Sequence, residues 1–356
     1  MEKVCYLFLL TVLLGGCSTQ KNNQDSYVVC DSIVYVSEFP EQLSLPEVQP
    51  LNIEIPGCVD VFNVDSVLIC KFYRADYFWH LYSLNTLRPL GNILRNGNAK
   101  GELLDLPGSE MDFIKDDSLY CSFDDSNKSS IYSVNLTKTI ETGQLSYTNE
   151  VLSSDHKFLW AYQLNDSSFF LIKSYRMFGR KRSMLTHGVE RDVNPGNINE
   201  AIPQKECNAI AATSAVNAEK MMAVEAYLHL PQINLYSLSS PKNVTLSLKP
   251  ELESYSHVDE TSKRDWYSYC GSMRAYQNYF GVVYYEKPYK DEWFEKVHNS
   301  SILFFDWEGT PLLKVSVPFQ ATSFFIYGNS LYIFTSCGEE ERIYKYACPS
   351  KLRLDA

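Results

Sequence analysis

Residues 115–134 read KDDSLYCSFDDSNKSSIYSV: a polar turn, an apolar strand, a second polar turn and a strand with a central tyrosine. Asp, Asn and Ser favour tight turns between antiparallel strands. The same order of turn and strand recurs along the chain, and internal repetition is the sequence signature of a repeat fold.

Two sets of positions define the repeat. A polar turn is followed at once by an apolar residue six times, at Val67, Leu119, Phe169, Met221, Phe280 and Leu331. The steps between these residues are 52, 50, 52, 59 and 51. A second, aromatic strand follows at Tyr82, Tyr132, Tyr236 and Tyr344, with weaker copies at Met184 and Phe304. This predicts an all-β fold, a six-bladed β-propeller of antiparallel four-stranded blades over residues 50–348.

The two ends of the repeat region predict how the ring closes. The last repeat lacks an outer strand, whereas residues 50–56 resemble the outer strand at residues 311–318, with a proline at each end. We expect the N-terminal strand 51–55 to complete the final blade. Residues 27–39 then pack outside the ring or precede it, and residues 349–356 form a C-terminal tail.

One segment has two interpretations. Residues 211–227 are rich in Ala, Met and Glu, which favour a helix. The phase of the repeat instead predicts a hairpin around residues 217–220, and we follow the phase.

The N-terminus has the pattern of a bacterial lipoprotein signal. Lys3 precedes an apolar stretch at residues 4–14, and Leu14-Gly15-Gly16-Cys17 follows. The stretch is too short to span a bilayer but suits a signal peptide over residues 1–16. Acylation of Cys17 would anchor the chain to a membrane, with residues 17–49 as tether and N-terminal extension. The alternative is an ordinary signal peptide with an incidental cysteine. We expect the outer membrane of the cell envelope, with the periplasmic or surface side open.

Charge and motifs exclude several functions. The net charge of −11 argues against nucleic acid as a partner. The sequence holds no nucleophile elbow and no phosphate-binding loop. Its six histidines lack metal-ligand spacing, so we expect no metal and no cofactor.

The cysteines carry no recognisable motif. None of the ten cysteines forms a Cys-x-x-Cys pair. Cys70 and Cys121 lie in apolar strands and are expected to be buried free thiols. An oxidising compartment would permit a bridge or two among the others, and the sequence does not decide which cysteines pair.

The long connections predict a binding face. By the phase of the repeat, residues 91–110, 191–206, 250–269 and 286–299 all fall at one face of the ring, opposite the tight turns. Variable loops on a rigid scaffold are where recognition usually resides. The candidate binding residues in these segments are Arg95, Asn98, Lys100, Trp266, Tyr267, Trp293 and His298. Packing within the loops is the alternative role for the aromatic residues.

A basic hairpin at Arg176, Arg180, Lys181 and Arg182 has two interpretations as well. It could bind an anion, or it could be a solvated edge protected by its charge.

The chain resembles the TolB-like six-bladed propeller lipoproteins of Bacteroidetes. The most specific part of the resemblance is residues 90–103, LGNILRNGNAKGEL, because relatives carry a glycine-rich stretch ending in Gly-Pro-Gly-Glu after their first blade. Lys100 stands where the proline is expected. The resemblance covers most of residues 50–348 and implies a fold and an envelope location, but no reaction.

Two functions remain open. The first is a non-catalytic binding module for an envelope protein or glycan, acting through the long-loop face. The second is a hydrolase or lyase that acts on an extracellular polymer at the central channel. An enzyme would require convergent carboxylates or a histidine within hydrogen-bond reach at the channel mouth.

Overall fold

The computed structural model describes residues 28–29, 31–152, 158–175, 179–193, 197–198, 211–253, 262, 265–290, 299–336 and 341–355. Cys17, Trp293 and His298 lie outside this part of the chain, so their expected roles stay predictions.

Three short strands precede the ring: β1 (Val28–Val29), β2 (Ser32–Tyr35) and β3 (Gln42–Ser44). Blade one holds β4 (Cys58–Val64), β5 (Val67–Phe72), β6 (Tyr77–Ser83) and β7 (Pro89–Arg95). Blade two holds β8 (Gly108–Lys115), β9 (Ser118–Asp125), β10 (Ser130–Asn135) and β11 (Tyr147–Val151). Blade three holds β12 (Trp160–Asn165), β13 (Ser168–Tyr175), β14 (Gly179–Thr186) and β15 (Val189–Val193).

β16 (Asn197–Ile198) pairs with β1 apart from the blades. Blade four holds β17 (Ala212–Asn217), β18 (Met222–Tyr227), β19 (Gln232–Ser237) and β20 (Asn243–Ser247). Blade five holds β21 (Tyr267–Ala275), β22 (Tyr279–Pro288), β23 (Ser300–Asp306) and β24 (Pro311–Val317). Blade six holds β25 (Ser323–Tyr327), β26 (Ser330–Thr335) and β27 (Arg342–Ala347).

The blades are antiparallel sheets whose strands follow chain order. The first strand of each blade lies at the centre of the ring, and large apolar side chains fill the spaces between blades. Phe304 of blade five, for example, meets Phe324 of blade six edge to face at 5.6 Å between ring centroids. The predicted six-bladed β-propeller is confirmed.

Residues 211–227, for which the sequence allowed a helix or a hairpin, form a hairpin. β17 and β18 pair from Ala212 opposite Tyr227 to Asn217 opposite Met222. Ala215, Val224 and Ala226 are all buried in one core cluster. Packing in the ring therefore outweighs the helical propensity of these residues.

Residues 51–55, which were expected to complete the final blade, lie beside it. The Leu51 amide donates a hydrogen bond of 2.7 Å to the Ile343 carbonyl of β27, and Ile55 is buried with Ile343 and Phe334. The segment does not form a regular strand, however, and blade six has three strands rather than the predicted four. Pro50 and Pro56 have no N–H group to donate, which limits regular pairing here.

The N-terminal extension contributes more than a tether. β2 pairs in parallel with β20, and β3 pairs in parallel with β24, so that blades four and five have five strands each. The expectation that residues 27–39 pack outside the ring holds for the described part. The extension covers the outer edges of blades four and five, which would otherwise expose unpaired backbone groups.

Among the residues that the structure describes, two helical elements with defined bounds were not predicted. α1 (Leu136–Thr142) lies between β10 and β11, begins at the cap residue Asn135 and ends at Gly143, whose φ is +66°. A 3-10 helix (Ser350–Asp355) follows β27 and buries Leu352. Among the described residues, no helix is both long and apolar enough to cross a membrane.

Candidate functional site

The ring has two unlike faces. We call the one where the first strand of every blade begins the long-loop face; Cys58, Gly108, Trp160, Ala212, Tyr267 and Ser323 lie there. The strand ends that flank all four long segments meet at this face, as the repeat phase predicts. The opposite face carries two-residue turns such as 65–66 and 116–117. It also carries α1, so its connections are not all tight turns.

Exposed apolar side chains concentrate on the long-loop face. Among the described residues, eleven large hydrophobic side chains are exposed, and seven of them lie at this face: Val59, Tyr73, Tyr77, Leu104, Val151, Leu159 and Tyr267. Ile114 and Val189 lie at the opposite face, and Val34 and Tyr35 at the outer edge. Apolar groups gathered on one surface mark an interaction site more often than scattered ones do.

Four of these seven, Val59, Tyr73, Tyr77 and Leu104, belong to blade one or to the connection that leaves it. Tyr73 is 54% exposed, and Tyr77 is Arg95's partner across the β6–β7 pair. The Arg95 side chain is 66% exposed, and Leu104 lies in the connection that leaves β7. We call Tyr73, Tyr77, Arg95 and Leu104 the blade-one patch. The sequence pattern missed its two tyrosines because it says nothing about which strand ends protrude.

The glycine-rich stretch builds the loop beside this patch. The Gly97 amide donates to the Leu103 carbonyl at 2.8 Å, and the Ala99 amide donates to the Glu102 carboxylate at 2.9 Å. Gly97 has a φ of +157°, which L residues rarely adopt, and a Cβ there would displace the Glu102 carboxylate, so this position favours glycine. The resemblance motif thus has a structural role: it folds a compact loop that presents Asn98 and Lys100, both exposed.

The two neighbouring aromatic candidates, Trp266 and Tyr267, have different environments. Trp266 is only 3% exposed and packs against His229, with ring centroids 4.8 Å apart, and against Tyr289. It is therefore part of a packed cluster, which was the alternative role considered for it. Tyr267 is 44% exposed and remains a candidate binding residue.

A channel of about 1010 Å³ runs through the ring and is lined by the first strands of the blades. Some of its charged groups form ion pairs, whereas Asp112 lines the channel as an exposed carboxyl group outside those pairs. The Arg274 guanidinium donates to Asp60 at 3.2 Å and to the Val61 carbonyl at 2.8 Å, and Lys71 contacts both Asp60 and Glu110. Burial alone would raise the pKa of Asp60, but Arg274 and Lys71 together hold it below its usual range.

Beside these pairs lies a carboxyl group in an unusual environment. A β-bulge in β8, where Ser109 has a φ of +53°, brings Glu110 close to Asp124. Burial raises the pKa of Asp124 to about 7, and the Glu110 carboxylate adds to the shift. Asp124 is 5% exposed, so it is a buried acid behind the channel wall.

The basic hairpin contains a buried residue, Arg182. At that residue the hairpin is neither a solvated edge nor an anion site. Arg182 is 2% exposed and donates through Nε to Glu225 of blade four at 2.9 Å. Its Nη1 group donates to the Arg180 carbonyl, and the Arg180 guanidinium lies 4.7 Å from the Trp160 ring. Lys181 pairs with Asp192. Arg176 lies outside the described residues. The sequence analysis did not identify the Arg182–Glu225 pair. The signal that could have indicated it is Glu225, the one charged residue of the apolar strand β18, MAVEAY.

Solved structures share the fold. A member of the DUF4221 family from Bacteroides vulgatus superposes with a TM-score of 0.55 at 12% identity, covering 84% of this chain and 96% of its own. Raptor from Chaetomium thermophilum gives a TM-score of 0.47 at 11% identity, covering 84% of this chain and 28% of its own. No curated protein matches the sequence.

The family described as TolB-like 6-blade propeller-like matches residues 38–233, more than half of the chain. That match falls on blades one to three and the start of blade four, in agreement with the observed ring. The chain therefore belongs to the TolB-like six-bladed propeller family.

Proposed function

We propose that this protein is a non-catalytic binding module of the cell envelope, which holds a protein or glycan partner against its long-loop face. The observation that carries the proposal is that most of the exposed large apolar side chains of the described residues lie at that face, more of them on blade one than on any other blade. Tyrosine and arginine, which the patch combines, are enriched where binding energy concentrates.

The channel chemistry favours binding over the alternative, a hydrolase or lyase. A catalytic acid must reach the substrate and act with a second acid or base. Asp60 and Glu110 are engaged by Arg274 and Lys71, and Asp124 is buried, which leaves Asp112 as the exposed acid beside this network. No histidine of the described residues lines the channel. The network of Asp60, Lys71, Glu110 and Arg274 thus supports the ring rather than a reaction.

Replacing either Tyr73 or Arg95 with alanine is expected to weaken partner binding by about thirtyfold, since an anchor residue commonly contributes about 2 kcal/mol. The partner would be captured from envelope extracts with the purified full chain. Its affinity for each variant is then measured by titration calorimetry, with a glycan array run in parallel.

A matched control comes from the opposite face. Val189 is 71% exposed there, so Val189→Ala should leave affinity unchanged. Loss of binding in Val189→Ala, together with normal binding in the Tyr73 and Arg95 variants, would place the binding site on the opposite face and contradict the proposal.

The envelope location rests on the N-terminal signal. We propose that Cys17 is acylated and anchors the protein to the outer membrane. A lipid anchor on a polar tether would leave the ring free to meet partners at the membrane surface.

Cells supplied with a labelled fatty acid should therefore label the full chain, and Cys17→Ser should abolish the label. Cys5→Ser is the matched control, because Cys5 lies within the segment expected to be removed. Equal labelling of wild type and Cys17→Ser would refute the anchor.

A further inference from the structure

The central channel carries more hydrogen-bonding groups than its ion pairs use. Five hydroxyl side chains line it: Ser109, Thr213, Ser214, Ser272 and Thr322. Ser109 and Thr213 are the second residues of β8 and β17, and Thr322 directly precedes β25, so these three lie near the long-loop mouth of the channel. The volume of about 1010 Å³ is large enough for a small ligand to enter there.

A tryptophan lies at the same mouth. Trp160 is the first residue of β12, is half-buried and lines the channel. The Arg180 guanidinium lies 4.7 Å from its ring centroid, and a Cβ on Gly108 would lie 3.4 Å from its Cδ1 atom. These neighbours hold the ring in place before a ligand arrives, which lowers the entropic cost of binding.

The charged groups of the channel leave both a donor and an acceptor open. The Nε–H group of Arg274 has no acceptor among the described residues, although the Nη groups donate to Asp60 and to two backbone carbonyls. Asp112 lines the channel as an exposed carboxyl group outside the ion pairs. A guanidinium group only donates and a carboxylate only accepts. A ligand that serves both must therefore donate and accept.

This requirement discriminates between classes of ligand. An ammonium group only donates, so it leaves Arg274 Nε without an acceptor. A carboxylate or phosphate ligand accepts, but it meets the like charge of Asp112. A sugar hydroxyl both donates and accepts, and the C–H face of a sugar ring can pack on the face of an aromatic ring such as Trp160. The channel lining thus fits a neutral sugar better than it fits an ion.

We propose that the long-loop mouth of the channel binds the end of a neutral glycan of the cell envelope. A sugar ring packs on the channel side of Trp160, and the hydroxyl groups of the glycan bond to Thr213, Asp112 and Arg274. It rests on the proposed binding function and names a glycan, rather than a protein, as the partner. Val59, which is exposed on blade one, also lines the channel, so the site continues into the apolar surface of the same face.

Oligosaccharides of different charge test the class of ligand. The purified full chain is applied to an array of neutral, amino-bearing and acidic oligosaccharides, and each neutral one that is retained is titrated by calorimetry. We expect retention on neutral oligosaccharides. Absence of neutral binding at millimolar concentration would overturn the proposal, as would binding restricted to the charged oligosaccharides.

Substitutions at the mouth test the residues. Trp160→Ala should weaken binding of the retained oligosaccharide about thirtyfold. Thr213→Val keeps the branched shape but removes the hydroxyl, and should weaken binding about fivefold. Asp65 lines the same channel but lies in a turn of the opposite face, so Asp65→Asn should bind as the wild type does. Melting temperatures establish that each variant is folded.

Fluorescence supplies a measurement that does not depend on the folding of Trp160→Ala. Titration with the oligosaccharide should change the tryptophan emission of the wild type, and Trp160→Phe should lose that change because the ring in contact with the sugar is no longer an indole. An unchanged response in Trp160→Phe, or unchanged affinity in Thr213→Val, would contradict the site.

Failure of the sugar site is distinguishable from failure of the proposed function. A captured protein partner whose affinity depends on Tyr73 and Arg95, without neutral oligosaccharide binding, would keep the long-loop face and reject the sugar site. Oligosaccharide binding that depends on Trp160 and Thr213, but not on Tyr73 or Arg95, would support the sugar site and reject the blade-one patch.

Discussion

Arg182→Met is expected to lower the free energy of unfolding by about 3–5 kcal/mol, because it leaves the Glu225 carboxylate buried without its counter-ion. Both side chains are 1% exposed, and the Tyr236 hydroxyl donates to the same carboxylate at 2.7 Å. Burial alone would raise the pKa of Glu225, but Arg182 holds it below its usual range. Chemical denaturation of wild type and variant at neutral pH measures the difference.

The pair offers its own controls. In the double variant Arg182→Met, Glu225→Leu, neither charge is left unpaired, so much of the stability should return. The exposed pair Lys115–Asp166, whose side chains are 51% and 84% exposed, is a matched contrast, and Lys115→Met should cost less than about 1 kcal/mol. A loss of under 1 kcal/mol for Arg182→Met would show that water reaches Glu225.

Asp124→Asn is expected to stabilise the protein in alkaline solution. The pKa of Asp124 is raised by burial from 3.8 to about 7, so the folded state holds a proton that the unfolded state releases. This contribution to stability is complete below about pH 4 and is lost as the pH rises through 7. By pH 8 the loss amounts to as much as about 4 kcal/mol at 1.36 kcal/mol per pKa unit. Asparagine carries no charge to bury and removes the loss.

Denaturation curves from pH 4 to pH 8 test this expectation. The difference in unfolding free energy between Asp124→Asn and wild type should rise with pH, mainly between pH 4 and pH 7, and level off by pH 8. Asp76 is exposed in a turn of blade one, and Asp76→Asn should follow the wild-type profile. Parallel profiles for Asp124→Asn and wild type would mean that Asp124 is ionised in the folded protein at neutral pH.

Two ion pairs connect different blades inside the ring. Arg182 with Glu225 joins blade three to blade four, and Arg274 with Asp60 joins blade five to blade one. A scaffold of this kind can present a variable face without moving, which suits the proposed binding role.

The sequence alone determined the repeat. Turn chemistry and alternating apolar residues are local properties, so the six turn-strand units could be read without knowledge of the contacts between them. The phase of those units also predicted the hairpin at residues 211–227 and the common face of the long segments. Arg95, Asn98, Lys100 and Tyr267 lie at that face as expected, and their role in binding is part of the proposed function.

Only the tertiary structure decided which side chains meet. Asp31 and Asn243 exchange hydrogen bonds across 212 residues, and Arg274 reaches Asp60 across 214. The parallel addition of β2 and β3 and the burial of Trp266 and Arg182 depend on such encounters. A local pattern fixes where a strand begins and which residues alternate. It does not fix what packs against them, because burial and pairing are set by parts of the chain far away in sequence.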